Sequence, residues 1–548
     1  MKQSKRRANP KSVTAQRQLP RQQPPIDRWL IPLLVAVMAA ITIYRSPWFA
    51  STLDVYPDSQ EMVIGAQRLV LLGSYSIEIE GVTYPPRYPP WFSVLILAPF
   101  YAMAPHELGI GIIPVQIIAL AAVMGAYALA ARISGEWGGA LAALLLLFTG
   151  DFLYHAKVIL TDVPAAASLL ALTLVLPRLR RGDEKLRWCW LAGVLAAVAG
   201  ALRVLAFASV LPLIAYVLLS QRRMGPRLLA ITLPSTLIIL LTALYNHHTF
   251  GDWRRTGYHF WTPIPYDVPG MTFSAGFLWE NVRGLAGLWA VFLAGAIGAV
   301  AIWLWARGAA RPDAPPPNER AHEQIAAITA MLLLAAVPIS LVHLFYFYEQ
   351  TRFHLPAATL LCVIGGAGIA LLVPEMIRRY RVLLTLGLVV AAAHGHVQLQ
   401  QFVIPPLRRI AAEHMANTEP NAVIVTAIDP VYLEPLVLRN SQRRIIPYSR
   451  EVEYASKLVA PEKIGRLDPP PTSPFEHRHP ALLAAGAREV VAVTAAENPE
   501  VIVELKRQGV PVYLDMSMLP PTSESARRVA AQFRELGLPM ELPERRKW

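Results

Sequence analysis

WFSVLILAPFYAMA, residues 91–104, is the stretch on which the topology turns. The run is apolar but only 14 residues long, and it follows PPRYPP. A helix that crosses a bilayer needs about 20 residues. If 91–104 crossed, the loops RLRRGDEKLR (178–187), QRRMGPR (221–227) and EMIRRYR (375–381) would face away from the Lys/Arg-rich N-terminal tail. Basic loops collect on the cytoplasmic side, so that arrangement is disfavoured. If the run lies along the interface instead, the tail and the loops at 132–136, 178–187, 221–227, 306–322 and 375–381 share one side with 23 Lys and Arg, while the loops at 47–108, 151–159, 246–282 and 348–355 carry 6 on the other. The sequence therefore predicts an in-plane helix at 91–104, a cytoplasmic N-terminus and an outer C-terminus.

Working outward, further apolar runs occur at 29–46, 109–131, 137–153, 160–177, 188–202, 204–220, 228–245, 283–305, 325–347, 356–373 and 382–400. They predict an α-helical polytopic membrane protein of about eleven spans. The outer loop 47–108 then carries two in-plane helices, at 58–72 and 91–104, and a second large outer loop covers 246–282. After Phe402 the pattern becomes short β-branched runs at 421–427, 443–448, 488–495 and 510–516, alternating with helical stretches near 452–459, 496–508 and 523–536. That alternation predicts a small α/β domain with a partly parallel sheet. The expected organisation is a basic cytoplasmic tail (1–28), a transmembrane domain (29–401) with outer loop 47–108, and a soluble extracytoplasmic domain (402–548).

Composition agrees with a membrane protein. Of the 548 residues, 54% are hydrophobic and 16% charged, with mean hydropathy +0.38. Soluble chains are about 25% charged. The net charge of +13 sits in short loops between apolar runs, not in an aromatic-and-basic groove, so nucleic acid is not an expected partner. Both cysteines, Cys189 and Cys362, lie in apolar runs, which argues against disulfides and Cys-type metal sites. The polar stretch to Asp27 is too long for the n-region of a cleaved signal peptide.

Chemistry-bearing residues gather on the outer side. In YPDSQE (56–61), Asp58 and Glu61 have capping-box spacing, and a carboxylate at the membrane boundary beside Tyr56 also suits a general base. Asp162 stands where a span begins, with Pro164 in the first turn: an N-cap by one reading, a functional acid near hydrocarbon by the other. Arg203 interrupts an apolar run at an outer reversal, and Arg352 lies at the outer edge of another. Each snorkels toward headgroups or meets an anionic partner such as a lipid phosphate. The stretch YNHHTFGDWRRTGYHFWTP (245–263) is an aromatic belt or a carbohydrate-contact loop, and it contains Tyr258. His247, His248 and His259 with Glu80 are weak candidates for a divalent metal, since no tight ligand spacing is present, and His394-x-His396 is weaker still.

PDSQEMVIGAQRLVLLGSYS (57–76), YPPRYPPWF (84–92), ILTDVPAAASLLALTLVL (159–176), ALRVLAF (201–207), YNHHTFGDWRRTGY (245–258) and RFHLP (352–356) occur in an order and at a spacing that resemble a known family. It is the polyprenyl-phosphate-sugar-dependent membrane glycosyltransferases of the GT-C fold, which include lipid A aminoarabinose transferases and protein O-mannosyltransferases. The resemblance spans roughly residues 60 to 400. It implies a GT-C-like transmembrane domain and sugar transfer from a polyprenyl-phosphate donor to a glycan, lipid or protein acceptor at the outer face of the cytoplasmic membrane. It implies Asp58 and Asp162 as the catalytic acids and Arg203 and Arg352 toward the donor phosphate; Tyr56, Glu61 and Tyr258 are the expected substrate contacts beside them. One departure is that Tyr84, not an acid, precedes Pro85–Pro86, with Glu80 the nearest carboxylate; the case for a metal is correspondingly weaker. A transporter or lipid flippase is the rival class, but it would show repeated halves and midplane polar residues, and neither is seen. A non-catalytic subunit that kept the fold is the third reading.

Overall fold

The computed structural model describes residues 27–44, 57–79, 82–105, 108–180, 186–219, 225–261, 266, 272–307, 319–348, 350–373, 417–426, 444–447, 499–515, 531 and 534–535. The predicted span 382–400, the strand at 488–495 and the helical stretch 452–459 lie outside the described residues, as do Tyr56, Glu80, His394 and His396.

All ten apolar runs inside the described residues are helical. They form α1 (Asp27–Tyr44), α4 (Ile112–Ser134), α5 (Glu136–Phe148), α7 (Asp162–Arg180), α8 (Leu186–Leu202), α9 (Phe207–Leu219), α10 (Gly225–Phe250), α13 (Trp289–Ala306), α14 (Glu319–Leu344) and α15 (Leu355–Leu372). By length and composition, 6 helical segments among the described residues suffice to cross a membrane; Leu30–Tyr44, Glu136–Phe148, Leu186–Leu202 and Val204–Leu219 are shorter apolar helices. The predicted run 137–153 is not one helix. It breaks at Thr149, whose backbone is extended and whose hydroxyl donates back to Leu145 O at 2.9 Å, and the chain resumes as α6 (Gly150–His155). Such back-bonding offers the backbone an alternative partner and loosens the helix there.

The helix α15 is the centre of the bundle: 89% of the apolar 18-residue window in Thr351–Leu372 is buried, against 11% of the corresponding window in Gly225–Phe250 at the edge. Its sequence explains this position. A Cβ at Gly368 would collide with Gly298 of α13, and one at Gly298 would collide with the Ile364 carbonyl. With lipid as solvent, helices associate through such small-residue faces, where backbones approach closely.

The segment between α1 and α4 contains α2 (Pro57–Leu72), an antiparallel hairpin β1–β2 (Ile77–Ile79 and Val82–Tyr84, Ile77 facing Tyr84), and a π-helical turn, Ser93–Leu97, continuing into α3 (Ala98–Met103). These helices have a core of their own, in which Met62 and Val63 pack with Phe92, Leu97 and Tyr101. Ser93 Oγ donates to Met62 O at 3.0 Å, and Trp91 Nε1 donates to Thr242 Oγ1 of α10 at 2.8 Å. Toward the C-terminus, β3 (Val423–Thr426), β4 (Arg444–Pro447) and β5 (Val512–Asp515) form a parallel sheet in the order β4-β3-β5, with α16 (Pro499–Arg507) before β5. Three of the four predicted strands are thus present, and Val423, Ile424 and Val425 of the central one are buried.

Candidate active site

Two acids on one face of α2 open the site. Asp58 is the second helical residue and Glu61 lies one turn on. The capping-box spacing suggested that they serve the helix start. Instead, both Asp58 oxygens accept from arginines: Oδ1 from Arg87 Nη2 at 2.8 Å and Oδ2 from Arg352 Nη2 at 2.9 Å. Glu61 Oε2 accepts from the same Arg87 Nη2 at 3.1 Å, and its Oε1 accepts from the Arg87 backbone N–H.

Arg87 is held by its surroundings. With Tyr88 it stands between two proline pairs, Pro85–Pro86 and Pro89–Pro90, whose φ is fixed and which have no N–H to divert. The segment after α10 docks against it at Gly257, where a Cβ would lie 2.5 Å from the carbonyl oxygens of both Pro86 and Arg87. Only glycine allows two backbones so close.

A second ion pair lies beside the first. Asp162 is the first residue of α7 and is 2% exposed. Its Oδ1 accepts from Arg203 Nη1 at 2.5 Å. Arg203 stands in extended backbone between α8 and the 3-10 turn Val204–Ala206, which projects it from the chain reversal. The same Nη1 reaches the Arg352 carbonyl oxygen at 3.4 Å. The guanidinium carbons of Arg203 and Arg352 lie 4.8 and 5.4 Å from the centre of the Phe353 ring, a cation–π arrangement that gathers two positive groups on one aromatic side chain. Thr351, beside Arg352, donates to Asp151 Oδ1 at 3.1 Å and ties this turn to α6.

An aromatic wall borders the acids. Tyr88 meets Tyr258 of α11 (Gly257–Trp261) edge-on at 5.5 Å, Tyr258 meets Tyr266 at 5.1 Å, and the Tyr266 and Tyr346 hydroxyls are 2.5 Å apart. Burial pushes the phenols of Tyr88 and Tyr258 up, so they stay neutral hydrogen-bonding groups. Burial alone would raise the Asp58 carboxyl, but Arg87 and Arg352 outweigh it and hold Asp58 below the usual aspartate value. At Glu61 burial prevails over Arg87 and lifts the carboxyl. Two carboxyls one turn apart are thus driven in opposite directions, a pattern common at catalytic sites. His155, near Asp162, is pushed down to about 4 by burial and is neutral at physiological pH.

The structure therefore brings together Asp58, Glu61, Asp162, Arg203 and Arg352, with Tyr258 in the wall. The snorkelling alternative for both arginines is replaced by ion pairing, since Arg352 is 8% exposed and Arg203 is turned onto Asp162. The metal candidates do not converge. His247 stacks on Trp253 at 4.5 Å, His248 is exposed, His259 Nδ1 is 2.9 Å from Thr256 Oγ1, and no group of three His, Cys, Asp or Glu among the described residues could hold an ion. The three clustered acids face guanidinium groups, so the donor set does not fit a divalent cation. Sequence reasoning missed Arg87. Its signal was a single cation bracketed by prolines, one of only two Lys or Arg in residues 47–108.

Residues 88–246 match the family model described as dolichyl-phosphate-mannose-protein mannosyltransferase. No curated protein sequence matches the chain. Among solved structures, ArnT from Cupriavidus metallidurans in the apo state is 13% identical over 80% of this chain and 88% of that one, with a TM-score of 0.51. The same protein bound to undecaprenyl phosphate is 12% identical over 79% and 88%, with a TM-score of 0.49. The apo oligosaccharyltransferase of Archaeoglobus fulgidus is 11% identical over 76% and 64%, with a TM-score of 0.47. The resemblance read from the sequence is thereby found again in a family model and in a fold: the chain has the GT-C fold of membrane glycosyltransferases.

Proposed function

We propose that this protein is a membrane glycosyltransferase that moves a sugar from a polyprenyl-phosphate donor to a hydroxyl of a glycan, lipid or protein acceptor, with inversion, at the outer face of the cytoplasmic membrane. The observation that carries this reading is the assembly of Asp58 with Arg352 and of Asp162 with Arg203 around one phenyl ring, from positions up to 294 residues apart. An acid beside two guanidinium groups matches what the reaction requires. The family model that matches residues 88–246 supports the donor class, since it is described by dolichyl-phosphate-mannose.

The chemistry follows from these groups. The acceptor oxygen attacks the anomeric carbon on the face opposite the phosphate, the bond from that carbon to the phosphate oxygen breaks, and a single displacement inverts the centre. Asp58 takes the hydroxyl proton as the new bond forms. Its carboxyl is held low, so it is ionised at neutral pH and accepts the proton late, when attack has acidified the hydroxyl. Arg203 and Arg352 meet the negative charge that grows on the departing phosphate, with Arg352 presenting a planar fork suited to its oxygens. Asp162 fixes Arg203. Tyr88, Tyr258 and Tyr266 offer ring faces and hydroxyls to the sugar.

In this account about eleven spans form the transmembrane domain, residues 47–108 are extracytoplasmic, and 402–548 are an outer domain for acceptor contact or assembly. The test is transfer of labelled sugar from a panel of polyprenyl-phosphate donors in membranes that contain the protein. At least one donor should be consumed, with transfer lost in Asp58→Asn. Transfer from no member of the panel, with a nucleotide sugar used instead, would overturn the proposal.

A further inference from the structure

The site's charges form one alternating series. Glu61 and Asp58 share Arg87, Asp58 also holds Arg352, and Arg203, whose guanidinium touches the Arg352 carbonyl, holds Asp162. Three carboxylates face three guanidinium groups, so the site is formally neutral. An arriving phosphate therefore meets arginines that are already engaged, and it has to compete with a carboxylate for any of them.

The arginines are not equally held. Arg87 is shared by two acids, its backbone N–H also binds Glu61, and its main chain is clamped between prolines and Gly257. Arg203 makes the shorter contact, 2.5 Å, to the deeply buried Asp162. Arg352 pairs with Asp58 Oδ2 at 2.9 Å and sits on a short 3-10 turn, Thr351–His354, at the head of α15, so it is the arginine whose release would uncover the second oxygen of that carboxylate. Arg352 and Arg203 share the Phe353 ring, a juxtaposition of two cations that favours an anion between them.

Resting on the proposed function, we infer that donor binding is a partner exchange: the lipid phosphate takes the Arg352 guanidinium from Asp58 Oδ2, and this exchange frees the carboxylate that receives the acceptor proton. Arg87 stays with Asp58 and Glu61 throughout and acts as a positioning residue. No covalent bond changes in the step; one guanidinium–carboxylate pair becomes a guanidinium–phosphate pair. Asp58 is thus engaged until a donor is in place, and donor binding precedes acceptor activation.

The inference makes an unusual demand on one variant. Asp58→Asn keeps the shape of the side chain but removes the charge that competes for Arg352. Binding of undecaprenyl phosphate to the purified full-length protein should become tighter by about tenfold or more, which corresponds to about 1.4 kcal/mol or more, while sugar transfer is lost. Glu61→Gln should leave undecaprenyl phosphate affinity within about twofold, because its partner Arg87 does not exchange. In the double variant Asp58→Asn, Arg352→Ala the gain should vanish. Equal or weaker binding by Asp58→Asn would overturn the exchange. No binding by either wild type or Asp58→Asn would instead overturn the donor assignment. If Asp58→Asn does not fold, infrared difference spectra of wild-type protein with ¹³C-labelled aspartate give the same answer. Adding undecaprenyl phosphate should shift a carboxylate band, and an unshifted spectrum on binding would refute the exchange.

Discussion

Arg87→Ala tests whether the outer-loop network is energetically coupled. The substitution removes the contacts at 2.8 Å to Asp58 and 3.1 Å to Glu61. Breaking a buried ion pair by deleting one partner costs about 3–5 kcal/mol. Here the loss is smaller for three reasons. The Arg87 side chain is 24% exposed, Asp58 keeps Arg352, and Glu61 keeps the backbone N–H of residue 87 whatever side chain stands there. A destabilisation of about 2 kcal/mol is expected. In Arg87→Ala the Glu61 carboxylate is the least compensated charge, since burial already drives it toward protonation. Glu61→Gln should therefore cost about 1–2 kcal/mol in the wild-type background but little in Arg87→Ala, giving a coupling of about 1–2 kcal/mol. Thermal and denaturant unfolding of the purified protein in one detergent, followed by tryptophan fluorescence, would measure all four corners of the cycle. Additivity within about 0.5 kcal/mol would refute the coupled network.

Further outcomes follow from the same geometry. Arg203→Ala leaves Asp162, 2% exposed, without its 2.5 Å partner; donor affinity should fall and thermal stability should drop by about 3–5 kcal/mol, with Arg203→Lys recovering part of both because charge survives and the planar fork does not. Because the Asp58 carboxyl is depressed below its ordinary 3.8, its ion pairs contribute stability above that value and lose it only as pH falls through the folded value; kcat/KM should be flat from about pH 7 to about pH 5, and a fall already at about pH 6 would assign the base elsewhere. Alkaline phosphatase fused at 410 should be active and at 183 inactive, and cysteines at 75 and 107 should both react with an impermeant reagent from outside; labelling of 107 only from the cytoplasm would mean that 91–104 crosses.

Much of the fold was legible because a bilayer imposes a crude rule. Apolar length reads directly as helix, and the ten runs within the described residues are helices. The break at Thr149 was not legible, since one threonine inside an apolar run carries no signal of which partner its hydroxyl will choose. The site was half legible. Asp58, Asp162, Arg203 and Arg352 were singled out because a charge beside hydrocarbon needs a reason, and they do converge. Their pairing was not visible: Arg352 lies 294 residues from Asp58, and spacing cannot report a contact made by the packing of helices. The capping-box reading of Asp58 and Glu61 was incomplete for the same reason. Local spacing predicted local partners, and the tertiary arginines won. Arg87 was passed over because a lone cation in a proline-rich outer loop reads as a solvated residue until Gly257 is seen packed against its backbone.

The central claim is that a lipid monophosphate leaves as the sugar is transferred. The most direct measurement follows both products at once, with the purified protein in lipid nanodiscs and a doubly labelled polyprenyl-phosphate sugar. The account predicts that polyprenyl phosphate is released one for one with sugar joined to the acceptor, and that Asp58→Asn stops both while the protein stays folded. Release of polyprenyl diphosphate, movement of the lipid across the bilayer without transfer, or transfer by Asp58→Asn at the wild-type rate would contradict it.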